Sequence, residues 1–194
     1  MADSSITKKA LAAAMKDLMQ QVPLSQISIS DICEGCQMHR KSFYYHFKDK
    51  YDLVNWIFYT EFFTAFTSQD QNADPWACLE DTFGYFYENK RFYKNALSIQ
   101  GQNSFYEYFG EIITPVISER INRVFLMDED HDFYVRFFAE AIRGALVEWM
   151  RRGAKVPPHK LVQLIRRACT GMAFYIVEKA EERGDPEPPR PEQH

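Results

Sequence analysis

The chain has 194 residues, of which 46% are hydrophobic and 15% are aromatic, and its formal net charge is -4. This length allows a single mid-sized domain or a small domain joined to a larger one, and the composition can fill a sizeable core. The negative net charge excludes a protein that binds nucleic acid over its whole surface. Aromatic residues are abundant and alternating β-branched residues are scarce, so we expect an all-α chain with bulky contacts between helices.

The sequence holds no stretch that approaches the ~18 apolar residues of a membrane-spanning helix. Its first residues, MADSSITKK, lack the apolar core of a signal peptide. We therefore expect a cytoplasmic protein with no membrane partner. In that compartment its four cysteines are expected to be reduced thiols.

The first predicted helix covers residues 6–21, and a helix-turn-helix motif follows it. Ser28 and Asp31 have the spacing of a capping box, which predicts that a short second helix begins at Ile29. A turn over residues 35–38 interrupts the helical pattern, and a third helix rich in aromatic and basic residues follows the turn. Two short helices in this arrangement are typical of DNA-binding proteins whose second helix enters the major groove.

The predicted third helix and its flanks carry the candidate DNA contacts. Residues 37–50 hold four Lys or Arg and one acidic residue, which is the local positive excess that phosphate contact requires. Side chains suited to phosphate oxygens are assigned to positioning on the DNA backbone: Tyr44, His46 and Lys50. Side chains nearer the start of the helix are assigned to base readout: Gln37, His39, Arg40 and Tyr45. Lys41 and Ser42 complete the predicted DNA-binding set.

An ordered series of residues extends across this segment: Ile27, Ile29, Asp31, Ile32, Arg40, Ser42, Phe43, Tyr44, His46, Phe47, Asp49, Lys50 and Leu53. It resembles the DNA-binding signature of the TetR/AcrR family of transcriptional regulators and covers about residues 6–55. The resemblance implies a three-helix DNA-binding head, a larger helical domain for ligand binding and dimerisation, and double-stranded DNA as a partner. Two positions depart from the family pattern, because Gln37 replaces a turn glycine and His39 replaces a capping Ser or Thr. A non-glycine residue at positive φ costs stability, and His is a weaker cap.

We expect a DNA-binding domain, a helical regulatory and dimerisation domain and a disordered tail, at residues 1–50, 51–180 and 181–194 respectively. A helix from Lys50 to about Thr67 is expected to link the first two domains. Later helices are predicted at residues 75–89, 91–99, 105–124, 133–152 and 159–179. One of them contains Pro115, which predicts a bend or break near Ile113.

The last two predicted helices carry small and apolar residues that are suited to close helix packing. These residues are Phe137, Ala141, Gly144, Ala145 and Trp149 on the first helix and Leu161, Leu164, Ile165, Ala168, Met172 and Tyr175 on the second. We expect them to form a homodimer interface, in which two protomers build a four-helix bundle. The alternative is that both faces are buried only against their own protomer.

Aromatic residues in the central region offer more surface than a small bundle requires for its core. They are Phe58, Phe62, Trp76, Phe83, Phe86, Tyr87, Phe105, Tyr108 and Phe109. We expect them to enclose a largely apolar small-molecule effector, although ordinary core packing explains the same residues. The C-terminal half, where Gly153 follows Trp149, resembles the family branch that includes regulators of dihydroxyacetone kinase operons. Some members of that branch act with a partner protein instead of a small ligand.

Two further clusters contain metal-ligating residue types. Cys33, Cys36 and His39 have a spacing that favours a zinc or redox site, but no second ligand pair lies nearby in the sequence. The acidic run at residues 128–132 lacks the glycine and the distal glutamate of a calcium loop. We therefore expect packed thiols, a solvated acidic cap, and no metal or cofactor.

The sequence also lacks a glycine-rich phosphate loop, a serine nucleophile elbow and a carboxylate pair in an apolar frame, so we expect no enzyme activity. We predict a sequence-specific transcriptional regulator, a repressor, that binds a palindromic operator as a homodimer and is released by an apolar effector. The alternative is a helical adaptor or co-regulator that acts through a protein partner.

Overall fold

The computed structural model describes residues 2–63, 74–99, 104–122 and 131–183. Its α-helices, numbered in chain order, are α1 (Ala2–Gln21), α2 (Ile29–Gly35), α3 (Arg40–His46), α4 (Lys50–Phe58), α5 (Pro75–Glu88), α6 (Lys90–Ala96), α7 (Phe105–Asn122), α8 (His131–Arg151) and α9 (Pro158–Arg183). A short 3-10 turn, Leu24–Gln26, lies between α1 and α2, and a π-helical turn, Tyr59–Phe63, continues α4. The described ranges contain no strand, which confirms the predicted all-α class. None of the described helices is long and apolar enough to cross a membrane.

The chain divides into two compact units, which we call unit 1 and unit 2. Unit 1 comprises Met1–Gln71 and Glu88–Phe109, and unit 2 comprises Asn72–Tyr87 and Gly110–His194. Unit 1 therefore contains α4 and α6 together with the three-helix head, whereas the sequence-based division ended the first domain at residue 50.

The core of unit 1 forms around α1, which contacts α2, α3, α4 and α6. The side chains that α1 to α4 contribute to this core are at most 1% exposed: Leu11, Met15, Ile32, Phe43, Leu53, Val54, Ile57 and Phe58. An amphipathic α1 thus supplies one apolar face on which the helix-turn-helix and α4 are both fixed.

Two predicted helix ends are confirmed by their local geometry. Asp74 accepts hydrogen bonds from the backbone N–H groups of Trp76 and Ala77, at 3.3 and 3.2 Å, so it caps a helix whose first residue is Pro75. After α8, Gly153 takes a φ of 85°, the left-handed conformation that commonly ends a helix.

Trp149 lies in the interior of unit 2. Its ring packs against Phe83 and Tyr87, with ring centroids 5.5 and 6.0 Å apart, and its indole N–H donates to the carbonyl oxygen of Val156 at 2.8 Å. The side chain is only 7% exposed. Both the apolar ring and the polar N–H of Trp149 are therefore used within one protomer, and its expected place in a dimer interface stays a prediction.

Of the bend or break expected near Ile113, the break is absent, because α7 is continuous from Phe105 to Asn122 with Pro115 inside it. Proline removes one backbone hydrogen bond, and the carbonyl left without that donor is costly only where water cannot reach it. Pro115 is exposed, so solvent can satisfy the freed carbonyl.

Two other boundaries differ from the predictions. The α-helical part of α4 ends at Phe58 and passes into the π-helical turn instead of continuing as an α-helix. The last helix extends through Arg183, so residues 181–183 are helical and do not belong to the predicted tail. The predicted end of the linking helix at Thr67, the acidic residues 128–130 and the rest of the tail lie outside the described residues.

Candidate DNA-binding surface

The capping box predicted at the start of α2 is confirmed. The Ser28 hydroxyl oxygen accepts from the Asp31 N–H at 3.2 Å, and the Asp31 carboxylate accepts from the Ser28 N–H at 2.7 Å. The hydrogen bond from the Ser28 backbone, followed by that from its side chain, lowers the pKa of Asp31. This reciprocal pair satisfies two N–H groups and fixes where α2 begins.

The turn between α2 and α3 carries both departures from the family pattern. Gln37 has a φ of 55°, so a non-glycine residue occupies a left-handed position at a cost in stability. His39 is the N-cap of α3, and its side chain makes no capping hydrogen bond. Behind the turn, a Cβ added at Gly35 would lie 3.2 Å from the Cβ of Ala14, so α2 approaches α1 closely at a glycine.

The third helix has one buried face and one exposed face. Phe43 is fully buried and Phe47 is 3% exposed, whereas Tyr44 and Tyr45 on the opposite face are 52% and 82% exposed. Exposed apolar residues that lie next to one another, unlike single ones, often mark an interaction site. The exposed face of α3 is therefore available to an external partner.

An open groove runs along this exposed face. Its lining residues are Thr7, Met38, His39, Lys41, Ser42, Tyr45 and His46. Five of them belong to the predicted DNA-binding set, and the structure adds Met38 from the turn and Thr7 from α1. No sequence pattern indicates Thr7 as a contact, because its neighbours in the groove lie more than thirty residues away in the chain.

The members of the predicted DNA-binding set differ in their exposure. The exposed members are Gln37, His39, Arg40, Lys41, Tyr44 and Tyr45, and the half-buried members are Ser42, His46 and Lys50. Lys8 of α1 lies at the edge of this surface, with its ammonium 5.7 Å from the ring centroid of Phe47 and 5.8 Å from that of Trp56. This cation–π geometry holds a positive charge beside the end of α3.

Lys50 differs from the other predicted DNA contacts. Its ammonium donates to the carbonyl oxygens of Leu24, Ser25 and Ile27, at 2.7, 3.2 and 2.7 Å. Burial lowers the pKa of Lys50, and the nearby charge of Asp31 opposes that effect. An ammonium has three N–H donors, so the three carbonyls account for all of them. The geometry gives Lys50 a structural role, and its predicted contact with phosphate requires it to release one of these bonds.

Replacing Lys50 with methionine is expected to lower the free energy of unfolding by about 1–3 kcal/mol, because three carbonyls lose a charged donor while the apolar stem is kept. Chemical denaturation measures this change. The control Lys48→Met removes an exposed ammonium two residues away and is expected to stay within about 0.5 kcal/mol of the wild type. Two results together would instead assign Lys50 to phosphate contact. The stability of Lys50→Met would be unchanged, and the slope of log affinity against log salt concentration would fall by about one unit.

The cysteine cluster is packed. Cys33 is 2% exposed, and the Cys36 thiol lies 3.3 Å from the carbonyl oxygen of Ile32. Burial raises the pKa of both thiols, which disfavours the thiolate that a metal or a disulfide exchange requires. Within the described ranges, no group of three His, Cys, Asp or Glu side chains could hold a metal ion.

The predicted effector residues are divided between the two units. In unit 1, Phe58 lies at the centre of an aromatic cluster, with its ring centroid 5.1 Å from Phe62, 5.4 Å from Phe105 and 5.6 Å from Phe109. Tyr108 is 6.2 Å away in the same cluster. The remaining predicted residues lie in unit 2: Trp76, Phe83, Phe86 and Tyr87. The unit 1 rings pack against one another as a core does, and they belong to the same unit as the DNA-binding head.

The predicted dimer face is largely exposed on one protomer. Ala141 and Gly144 are exposed, and Phe137 and Leu164 are 44% and 49% exposed. Phe133, which was not predicted, is 64% exposed and stacks on Phe137 with ring centroids 6.1 Å apart. Ala168 is exposed, and Ala145, Leu161 and Ile165 are half-buried. The side chains of Met172 and Tyr175 lie outside the described part of the chain.

Comparison with known proteins identifies both parts of the chain. Residues 10–57 match the family described as bacterial regulatory proteins, tetR family, and residues 74–171 match a family described as transcriptional regulator C-terminal region. One relative is the HTH-type dhaKLM operon transcriptional activator DhaS of Lactococcus lactis subsp. lactis (strain IL1403). It is 30% identical over 160 residues, which cover 79% of this chain and 84% of the relative.

Solved structures agree with this assignment. The dihydroxyacetone kinase operon activator DhaS has a TM-score of 0.66 and 26% identity, over 86% of this chain and 96% of that chain. A TetR transcriptional regulator from Streptococcus agalactiae 2603V shares the fold, with a TM-score of 0.67 and 19% identity over 84% and 93% of the two chains. The solved structures thus share the fold of this chain, and the two family matches cover its N-terminal helix-turn-helix and its C-terminal helical part. The chain belongs to the TetR family of bacterial transcriptional regulators, and among them it is similar to DhaS.

Proposed function

We propose that this transcriptional regulator binds a palindromic operator as a homodimer and reads each half-site with the exposed face of α3. The observation that carries the proposal is the division of α3 into a buried face at Phe43 and an exposed face at Tyr44 and Tyr45. Basic and hydrogen-bonding side chains surround that exposed face. These are the side-chain types that contact phosphates and base edges.

The short length of α3 favours a dimer. The third helix has seven residues, so it reaches only a few base pairs in one major groove. Two heads related by a two-fold axis double the number of base contacts, and they require half-sites about one helical turn, roughly 10 bp, or somewhat further apart. The exposed apolar faces of α8 and α9 support this arrangement.

Selection of bound sequences from a random duplex library tests the proposal. The enriched sequences are expected to have two-fold symmetry, and sedimentation of the complex is expected to show at least two protomers on each duplex. Enriched sequences without symmetry, or one protomer on each duplex, would contradict dimeric recognition. A protein that enriches no sequence over random DNA would support the alternative, an adaptor that acts through a protein partner.

The direction of regulation depends on where the operator lies relative to the promoter. We predict repression from the sequence, whereas the Lactococcus lactis relative is named as a transcriptional activator. A reporter fused to the protein's own upstream region, compared with and without the regulator, decides between the two. Higher reporter expression with the regulator would replace repression by activation.

We also propose that an apolar effector acts at the aromatic cluster of unit 1. The supporting observation is the π-helical turn Tyr59–Phe63, because such turns are frequent at functional sites. Phe62 of this turn stacks on Phe58, and Glu61 pairs with Lys16 of α1 at 2.8 Å. A ligand that shifts the turn would therefore act on the head directly. The ligand can favour release of the operator only to the extent that it binds the DNA-free arrangement of the protein more tightly than the DNA-bound one.

Thermal stability in the presence of a panel of hydrophobic compounds is expected to identify a ligand that raises the melting temperature and weakens operator binding. Phe62→Leu is expected to lose most of the effect on operator binding, because the stack on Phe58 is changed. Phe138→Leu, at a buried ring in unit 2 that is not in the predicted effector set, is the matched control and is expected to respond like the wild type. A compound that stabilises the protein but leaves operator affinity unchanged would separate the cluster from DNA binding.

A further inference from the structure

The segment between α1 and α2 determines how the helix-turn-helix is placed on unit 1. It consists of the 3-10 turn Leu24–Gln26 and its flanking residues, and it ends at the Ser28 cap. Its side chains line no part of the groove along α3. Because α2 begins directly after it, a shift of this segment would move α2 and the helix packed on it, α3.

Asn95 of α6 holds this segment from one side. Its side-chain oxygen accepts from the Leu24 N–H at 2.7 Å, and its amide nitrogen donates to the carbonyl oxygens of Met19 and Val22, at 3.1 and 2.8 Å. Both N–H donors and the carbonyl oxygen of the amide are therefore used. The partners lie 71 to 76 residues away in the sequence, so these hydrogen bonds are tertiary.

Lys50 holds the same segment from the other side. The N–H of Leu24 is bonded to Asn95 and its carbonyl oxygen is bonded to the Lys50 ammonium. Ile27, the residue before the Ser28 cap, also accepts from Lys50. The Leu24 side chain is 1% exposed, so its two neighbouring peptide groups are fixed between α6 and α4 around a buried anchor.

We infer that Asn95 is a positioning residue for operator recognition, an inference that rests on the proposed function. It holds the end of α1 and the Leu24–Gln26 turn so that α2 and α3 keep the orientation in which α3 reads base edges. Phosphate contacts tolerate small changes in orientation, whereas hydrogen bonds to base edges depend on direction and register. Loss of the Asn95 contacts should therefore reduce operator affinity much more than affinity for random DNA.

Two substitutions separate the parts of this contact. Asn95→Ala removes all three hydrogen bonds. Asn95→Asp is nearly isosteric and keeps the acceptor for the Leu24 N–H, but it places a carboxylate oxygen against the carbonyls of Met19 and Val22. The matched control is Ser98→Ala, which removes a hydrogen bond of 2.7 Å to the Asn95 carbonyl oxygen just after α6 and leaves the side-chain amide intact.

The experiment measures the affinity of each variant for the selected operator and for a random duplex, at a temperature well below the unfolding transition. Both Asn95 variants are expected to bind the operator about tenfold more weakly, which corresponds to about 1.4 kcal/mol, and to bind random DNA within about twofold of the wild type. Ser98→Ala is expected to match the wild type on both. A residue with a merely structural role would lower the melting temperature and leave the ratio of the two affinities unchanged.

Variants that retain the wild-type ratio would overturn the inference and leave the proposed function intact. A wild type without operator preference would overturn both. A second measurement needs no variant: amide hydrogen exchange of the wild-type protein. The Leu24 N–H is expected to exchange at least about tenfold more slowly than the unstructured rate, and exchange at the unstructured rate would show that Asn95 does not hold it in solution.

Discussion

Replacing Arg40 with alanine is expected to weaken operator binding by about 10- to 100-fold while changing the affinity for random duplex DNA by only a few fold. Arg40 is the first residue of α3, directly after the His39 cap, and its side chain is exposed. Guanidinium groups at the start of a recognition helix pair in a bidentate way with guanine, and one such pair contributes about 1–3 kcal/mol of discrimination. Loss of a single positive charge affects random DNA less, because it removes about one phosphate contact.

Titration of the operator and a random duplex at one salt concentration measures the two affinities. The matched control is Arg91→Ala, which removes an exposed arginine from α6 and is expected to bind both duplexes like the wild type. Equal losses on both duplexes in Arg40→Ala would assign Arg40 to the DNA backbone. No loss on either duplex would remove it from the interface.

In the proposed dimer, replacing Gly144 with arginine is expected to give a monomer at micromolar concentration and to reduce operator affinity by about 10²- to 10⁴-fold. Gly144 is exposed on α8, and a Cβ added there meets no atom within 4 Å. Arginine is also a better helix former than glycine by close to 1 kcal/mol, so the protomer itself should not be destabilised. A charged side chain between closely packed helices excludes the partner, and the loss of the second head removes its contribution to avidity.

Sedimentation analysis and operator titration give the two readouts for this variant. Gly84→Arg is the control, because Gly84 of α5 also has no atom within 4 Å of an added Cβ and lies outside the predicted face. It is expected to remain a dimer with wild-type affinity. If Gly144→Arg sediments as a dimer, the predicted face of α8, which contains both Gly144 and Phe137, is not the interface.

The parts of the fold that the sequence predicts well are those whose causes are local. The capping box of Ser28 and Asp31, the cap and first residue at Asp74 and Pro75, and the stop at Gly153 each depend on residues within a few positions of one another. The long helices are predicted from hydrophobic periodicity, because apolar residues recur with each helical turn. The candidate DNA-binding surface could be proposed from the sequence for the same reason, since nearly all of it lies on one short helix and its flanks.

The parts that could not be predicted depend on contacts between distant residues. The Lys50 ammonium has acceptors 23 to 26 residues away, and nothing in its own neighbourhood in the sequence distinguishes a carbonyl partner from a phosphate. Trp149 has the same helical spacing as exposed residues of α8, and only its contacts with α5 show that it is buried. Nothing near Asn95 in the sequence predicts its role, because the three hydrogen-bond partners of its side-chain amide lie far away in the chain.

The π-helical turn after α4 has a further consequence for the register of the chain. A π-helical turn closes its hydrogen bonds over one residue more than an α-helical turn, so it behaves as a one-residue insertion in a regular helix. Each residue of an α-helix turns the chain by about 100°. If residues 59–63 had α-helical pitch, each would turn the chain by that angle, which is more than it does in the wider π-helical turn. Glu61 and Phe62 would then lose the directions in which they now meet Lys16 and Phe58, so the length of this turn, and not only its side chains, determines what α4 transmits to the head.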